Sequence, residues 1–158
     1  MIIRPYIDAD FEAVCAVHDR SRRDELLGST DPAAFRPMVD EAEEEEFFDS
    51  RTFVGCIDHR VIGFVSFRGT YITWLYVDPD FYRRGIGFAL LQEALQHCGP
   101  EAWVNTMGGN VAAIALYRKA GFEIVNEFPS DCDGYPCTCV RLALPTSCMR
   151  DPNQQRVL

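Results

Sequence analysis

Two arginines and two glycines stand where an aromatic strand gives way to an amphipathic helix, and this junction constrains the chain more than any other segment. The run Tyr71–Val77 is apolar and aromatic, and Asp78-Pro79-Asp80-Phe81-Tyr82-Arg83-Arg84-Gly85-Ile86-Gly87-Phe88 follows it. Glycine lets the backbone approach a bulky anion, and the unpaired N–H groups of a helix N-terminus bind phosphate oxygens. Arginine adds charge that does not titrate away. The combination suits a pyrophosphate. It is neither of two common phosphate motifs. A P-loop needs Gly-Lys-Ser/Thr, and Phe88 follows Gly87. The dinucleotide fingerprint needs a third glycine where Leu90 stands. A plain tight turn with solvated arginines stays open on these residues alone.

A second segment carries marks at both ends. Asn110 is a good N-cap, and Gly121 suits the left-handed position after the last turn of a short helix. Asn110, Ala113, Tyr117 and Ala120 fall on one face of it. The small alanines allow another group to lie close, with Tyr117 at its edge.

Taken together, the two segments resemble the GNAT superfamily, the GCN5-related N-acetyltransferases. The pyrophosphate loop pattern Gln/Arg-x-x-Gly-x-Gly/Ala is matched by Gly85 and Gly87, and Asn-x-x-Ala-x-x-Leu-Tyr-x-x-x-Gly-Phe by Asn110, Ala113, Leu116, Tyr117, Gly121 and Phe122. Ile3-Arg4-Pro5 followed by Asp10-Phe11 is similar to the usual first strand entering the first helix. The resemblance covers roughly residues 1–144. There are departures: Tyr82 replaces the first Gln or Arg of the loop, Gly108-Gly109 lengthens the connection before Asn110, and Tyr71 stands where several members carry a catalytic glutamate.

The resemblance implies an α/β (α+β) fold, one acyl-CoA N-acyltransferase domain over 1–144, and an irregular tail over 145–158. Its sheet is mixed, mostly antiparallel and flanked by helices. The pattern along the chain agrees. Strands are expected at 1–6, 52–57, 61–67, 70–77, 101–106, 122–128 and 137–144. Helices are expected at 8–22, 85–97 and 110–120, with a further helical segment starting at Ser29-Thr30-Asp31-Pro32 and running to Phe47-Phe48.

The resemblance also implies acetyl-CoA as cofactor. Leu75, Tyr76 and Val77 would pair with its amide-rich arm as an added strand does. Tyr82, Arg83, Arg84, Gly85, Ile86, Gly87 and Phe88 would hold the pyrophosphate, with Asn110, Ala113 and Tyr117 beside it. A backbone N–H near Tyr76 or Val77 is assigned oxyanion stabilisation, and Tyr117 leaving-group protonation. A phenol titrates near pH 10, so Tyr117 is a neutral donor. With Tyr71 in the glutamate's place, the base is unresolved: His18, Glu25 and Glu101 qualify by chemistry, and a chain of waters needs no side chain. Tyr71, Asn105, Thr106 and Glu25 are the expected substrate contacts.

Net charge is −9 over 158 residues, which argues against non-specific nucleic-acid binding. The run Asp40-Glu41-Ala42-Glu43-Glu44-Glu45-Glu46 reads either as a solvated helix face or as an attractor for a cationic acceptor. No apolar run approaches a membrane span, and Asp8, Asp10 and Glu12 near the start argue against a secretory leader. Seven cysteines, an odd number without a leader, point to reduced thiols in a cytoplasm. Cys132, Cys137 and Cys139 lack a Cys-x-x-Cys pair or nearby His, so no metal is expected. The expected function is acetyl transfer to a primary amine of a small, cationic molecule by direct attack on the thioester. The alternatives are a protein N-terminal or lysine acetyltransferase and a catalytically degenerate acyl-CoA-binding sensor. A second copy of the chain is an open partner.

Overall fold

The computed structural model describes residues 1–146. Seven strands form one sheet: β1 (Ile2–Pro5), β2 (Arg51–Ile57), β3 (Arg60–Arg68), β4 (Tyr71–Val77), β5 (Trp103–Met107), β6 (Glu123–Cys132) and β7 (Tyr135–Ala143). Their order is β1-β2-β3-β4-β5-β7-β6, and every pairing is antiparallel except β4 with β5. The mixed, mostly antiparallel sheet matches the expected fold class. Pro145 and Thr146 lie in neither helix nor strand; the rest of the expected tail, with Cys148, falls outside the described residues.

The strands form where β-branched and aromatic side chains alternate. Asp58 and His59, both at positive φ, close a two-residue hairpin between β2 and β3, a geometry matched to strand twist. A β-bulge at Thr73 resets the alternation of β4, because Ser66 faces Trp74 while Phe67 faces Ile72. Trp74 and Tyr76 therefore point to one side of the sheet, and Ile72, Leu75 and Val77 to the other.

Helices cover both faces. On one, α1 (Phe11–Leu26) buries Val14 and Val17 against Val54, Phe64 and Trp74. On the other, α3 (Ile86–Cys98) buries Ile86, Leu90, Leu91 and Ala94 against Ile62, Val65 and Ile72, and α4 (Val111–Lys119) adds Tyr117. Helix α1 runs four residues past the expected end at 22, because its second half stays packed on β4.

The expected helix over 29–48 is corrected. Only a 3₁₀ turn at Pro32–Ala34 and one α-helical turn, α2 (Met38–Glu41), form before a series of hydrogen-bonded turns. Pro37 interrupts the first half. In the second half, Glu41 with Glu45 and Asp40 with Glu44 would set like charges one helical turn apart. Glu46 then takes φ 57°, which turns the chain so that Phe47 re-enters the core, 1% exposed.

Candidate active site

The loop after β4 is built on Asp78. Its carboxylate, almost wholly buried, accepts from the Asp80 N–H (3.0 Å), Arg20 Nη1 (2.6 Å) and Arg60 Nη2 (2.5 Å). Ser21 Oγ lies 2.6 Å from the Val77 carbonyl oxygen, so α1 is fastened to the end of β4 at two adjacent residues. Arg83 and Gly85 both take positive φ, 61° and 78°, and the chain enters α3 at Ile86. The first N–H groups of α3, at Ile86, Gly87 and Phe88, have no partner within the helix and point into the loop. Tyr82, Arg83 and Arg84 are exposed beside them, and neither arginine forms an ion pair among the described residues. A Cβ on Gly87 would stand 3.4 Å from Leu116 of α4 and 3.6 Å from Val77, so the first turn of α3 lies close to α4 and β4.

Strands β4 and β5 pair at only two positions, Tyr71 with Trp103 and Ile72 with Val104. Beyond them the strands part, and the edge of β4 along Leu75, Tyr76 and Val77 has no strand partner on the β5 side. An extended amide-containing chain fits this edge, and an anion fits the N-terminus of α3 that the edge leads to. The residues present thus suit a nucleotide carrying a pantetheine arm. Beside the gap, Asn110 Oδ1 accepts from the Ala113 N–H (3.1 Å) and fixes the start of α4. Tyr117 packs against Phe122, and burial holds its phenol far above the usual range.

On the α1 side of the parted strands lies a cavity of about 440 Å³. Tyr71, Asn105, Thr106 and Glu25 all line it. Tyr71 is stacked on Trp103 with ring centroids 4.1 Å apart, and Asn105 Oδ1 accepts from Arg141 Nε (3.0 Å). Glu25 accepts from both the Tyr76 hydroxyl (2.7 Å) and Arg22 Nη1 (2.7 Å), joining β4 to α1 across the cavity floor. Glu101 is exposed, before β5 and at the closed end of the strand pair, and does not line the cavity. His18 is fully buried, its ring edge-on to Trp74 (5.4 Å) and Tyr76 (4.9 Å).

Several lining groups are not among the expected substrate contacts: Arg22, Trp74, Glu41 of the acidic run, and Cys132, Cys137 and Cys139 of the β6–β7 hairpin. Spacing carried a trace of two of them. His18, Arg22 and Glu25 recur on one face of α1, and Glu41 sits between Met38 and Ala42, both buried. Burial raises the thiol pKa of Cys132 and Cys139, which leaves both protonated and poorly nucleophilic. No cluster able to hold a metal ion occurs among the described residues, and none of their helices is long and apolar enough to cross a membrane.

Comparison with known proteins agrees with this geometry. Residues 16–122 match the Acetyltransferase (GNAT) family. The uncharacterized N-acetyltransferase YafP of Escherichia coli is 28% identical over 84% of this chain and 87% of its own length. The peptidyl-lysine N-acetyltransferase YjaB of Salmonella typhimurium is 27% identical over 71% and 77%. The L-methionine sulfoximine/L-methionine sulfone acetyltransferase of Pseudomonas aeruginosa is 28% identical over 77% and 79%. Among solved structures, a GCN5-related N-acetyltransferase from Rhodopseudomonas palustris superposes with TM-score 0.78 at 18% identity, covering 90% of this chain and 94% of that one. A streptothricin acetyltransferase homologue from Bacillus anthracis, solved with acetyl coenzyme A, superposes with TM-score 0.54 at 23% identity over 60% and 61%.

Proposed function

Since the chain belongs to the acetyltransferase (GNAT) family and is an acetyl-CoA-dependent N-acetyltransferase, we propose that its acceptor is a primary amine on a small cationic molecule, bound in the cavity between α1, β4 and the β6–β7 hairpin. The observation that carries this is the charge of the walls. Seven carboxylates and two arginines line the cavity. Both arginines are already matched, Arg22 with Glu25 and Arg36 with Glu44 and Asp133. A cation entering such a cleft is attracted before it makes contact, and an anion is repelled.

Acetyl-CoA supplies the acetyl group as a thioester and a thiol as leaving group. Leu75, Tyr76 and Val77 would hold its amide-rich arm along the open edge of β4. Tyr82, Arg83 and Arg84 would flank the pyrophosphate at the N-terminus of α3, where Gly85 and Gly87 leave room and the N–H groups of Ile86, Gly87 and Phe88 point at it. Asn110 and Ala113 would form the wall on the α4 side. A backbone N–H near Tyr76 or Val77 donates to the carbonyl oxygen as negative charge builds on it. Tyr117, kept protonated by burial, gives or shares its proton with the departing sulfur. The amine attacks directly, and the protonated Cys132 and Cys139 support a route without an acyl-enzyme.

Transfer to a lysine or N-terminus of a protein is the second reading, favoured by the peptidyl-lysine activity in the name of the YjaB relative. Thiol release from acetyl-CoA, measured across a diamine, a neutral monoamine, an amino acid and a lysine peptide, separates the two. The highest kcat/KM is expected for the free diamine. A clear preference for the peptide would move the assignment to the second reading, and a preference for the neutral amine or the amino acid would overturn the cationic acceptor.

A further inference from the structure

Transfer to an ammonium leaves one proton to be disposed of. Of its three nitrogen-bound protons, one stays on the amide, one replaces the proton that Tyr117 gives to the thiol, and the third must be accepted by the protein or by water. The carboxylates of the cavity differ sharply in their freedom to accept it. Glu25 already receives Tyr76 and Arg22, Glu44 and Asp133 face Arg36, and Glu46 faces Arg68. Asp131 holds the Gly134 N–H at 2.7 Å, and Glu45 stands in solvent. Glu41 is different: its side chain is 12% exposed, and no donor reaches it within hydrogen-bond distance among the described residues.

Behind Glu41 is a buried group that fits its protonated form. His18 Nε2 lies 3.7 Å from Glu41 Oε2, has no accessible surface and has no hydrogen-bond partner. The other ring nitrogen, Nδ1, faces Asp19 Oδ1 at 2.9 Å. Burial lowers the pKa of His18, so the ring is neutral and its one proton belongs on Nδ1, toward that carboxylate. Asp19 Oδ1 also accepts the Met38 N–H (2.8 Å) at the start of α2, which fixes the ring and α2 against each other. Nε2 then presents a lone pair to Glu41. Facing a carboxylate, it has nothing to accept; facing a carboxylic acid, it can accept the acid's O–H once the 3.7 Å separation closes to hydrogen-bond distance.

The geometry points to Glu41 as the catalytic base that takes the acceptor's third proton, with His18 as the positioning residue whose Nε2 lone pair receives the O–H so formed. The N–H bond of the ammonium breaks, an O–H bond forms on Glu41, and the lone pair left on nitrogen attacks the acetyl carbon; the proton passes to solvent from the cavity mouth. The surroundings tune the group for this. Burial raises the Glu41 pKa to about 6, with Glu45 and Asp133 adding to the rise and Arg22 and Arg36 opposing it. Tyr76 and Cys132 also face Glu41, and Asp19 and Glu25 stand behind it on His18 and Arg22. A base with a pKa near working pH is effective. Like Tyr71 it lines the cavity, and it supplies there a carboxylate that Tyr71 does not.

The inference rests on the acceptor binding in this cavity, and the test separates the two. Glu41→Gln should lower kcat/KM roughly a hundredfold and remove the acid limb near pH 6, while acetyl-CoA affinity measured by calorimetry without acceptor is unchanged. A variant that loses acceptor KM but keeps the wild-type acid limb retains the cavity and overturns the base. An acceptor shown by competition to bind elsewhere overturns both. Wild-type protein gives an independent readout. Carbonyl-labelled glutamate NMR should show Glu41 titrating near pH 6, and ¹⁵N spectra should show His18 protonated on Nδ1 with its Nε2 signal shifting through the same midpoint. A Glu41 midpoint near 4.3, or a proton on His18 Nε2, would overturn the assignment even if the variant failed to fold.

Discussion

Gly109 lies so close to Gly28 that a Cβ placed on it would stand 2.2 Å from the Gly28 carbonyl oxygen and 2.7 Å from its carbonyl carbon. The loop after β5 is thereby seated against the loop after α1. Asn110 follows directly, caps α4, and so sets where Tyr117 sits. Gly109, the second of the glycine pair that lengthens this connection, is explained by contact with backbone, which cannot move aside as a side chain can. Gly109→Ala should cost about 1–3 kcal/mol by overpacking, read in thermal or denaturant unfolding. It should also lower kcat more than acetyl-CoA affinity. A variant of wild-type stability would mean that the two loops part freely.

Asp78 is the anchor of the loop between β4 and α3, proposed to hold the pyrophosphate, and its three short contacts involve two different elements besides its own turn. Asp78→Ala removes the shared acceptor. Hydrogen bonds to a charged group are worth about 1.5–3 kcal/mol each when buried; Arg20 and Arg60 are half exposed, so a total near ~2 kcal/mol is expected. Acetyl-CoA affinity should fall with it, because the turn that leads into Arg83 and Gly85 loses its tie to α1. Unfolding and calorimetry on one preparation check both.

Gly87→Asp should abolish acetyl-CoA binding while the fold persists. The Cβ itself is tolerated, at 3.4 Å from Leu116 and 3.6 Å from Val77. Gly87→Ala is therefore the control and should keep the fold. The added carboxylate sets a negative charge at the helix N-terminus proposed to take the pyrophosphate. Unchanged affinity in the folded Asp variant would remove the loop from cofactor binding.

Tyr117→Phe keeps the ring against Phe122 and removes the proton. A positioned general acid contributes roughly a hundredfold or more, so kcat should fall by that order with acetyl-CoA affinity little changed. Wild-type turnover on the preferred acceptor would leave Tyr117 as a packing residue.

The parts of this molecule that were legible in the sequence are those whose cause is local. The strand spans, the Asn110 cap and the glycine turn before α3 each need only neighbours in the chain, and each formed within a few residues of the expected bounds. The acidic run stayed open because its character depends on distant partners. Glu44 and Glu46 are exposed and paired with Arg36 and Arg68, whereas Glu41 is drawn under α1 by Met38 and Ala42. Arg22 is another such case. On α1 it looks like an ordinary solvent-facing arginine, and only the β6–β7 hairpin, with Cys132 Sγ 3.2 Å from Nη2, closes over it.

Charge at the cavity mouth should also be visible as a salt response. Attraction at an exposed surface is screened over roughly 10 Å at 0.1 M salt, so kcat/KM for a cationic acceptor should fall as salt rises. Replacing Glu44, Glu45 and Glu46 with glutamine should flatten that slope and leave acetyl-CoA affinity intact. An unaltered slope would remove the steering role and leave the transfer chemistry untouched.

Glu41→Gln should make the folded protein more stable at pH 7 while disabling it, and the sign follows from proton linkage. The native carboxyl pKa is raised from 4.5 to about 6. Below about pH 4.3 the group is protonated in both folded and unfolded chains, and it imposes no penalty. As pH rises toward 6, the unfolded chain releases its proton first, the folded chain binds more protons, and stability falls; above that the loss is constant. The shift corresponds to about 2 kcal/mol. Glutamine carries no charge at any pH, and its amide N–H can donate to the idle His18 Nε2. The variant should therefore match wild type near pH 4 and exceed it by about 2 kcal/mol at pH 7, measured by urea unfolding at both. A structural role for Glu41 predicts the reverse, a variant weaker at pH 7. A stability difference that did not vary between pH 4 and pH 7 would show that the carboxylate carries no burial penalty in the folded protein.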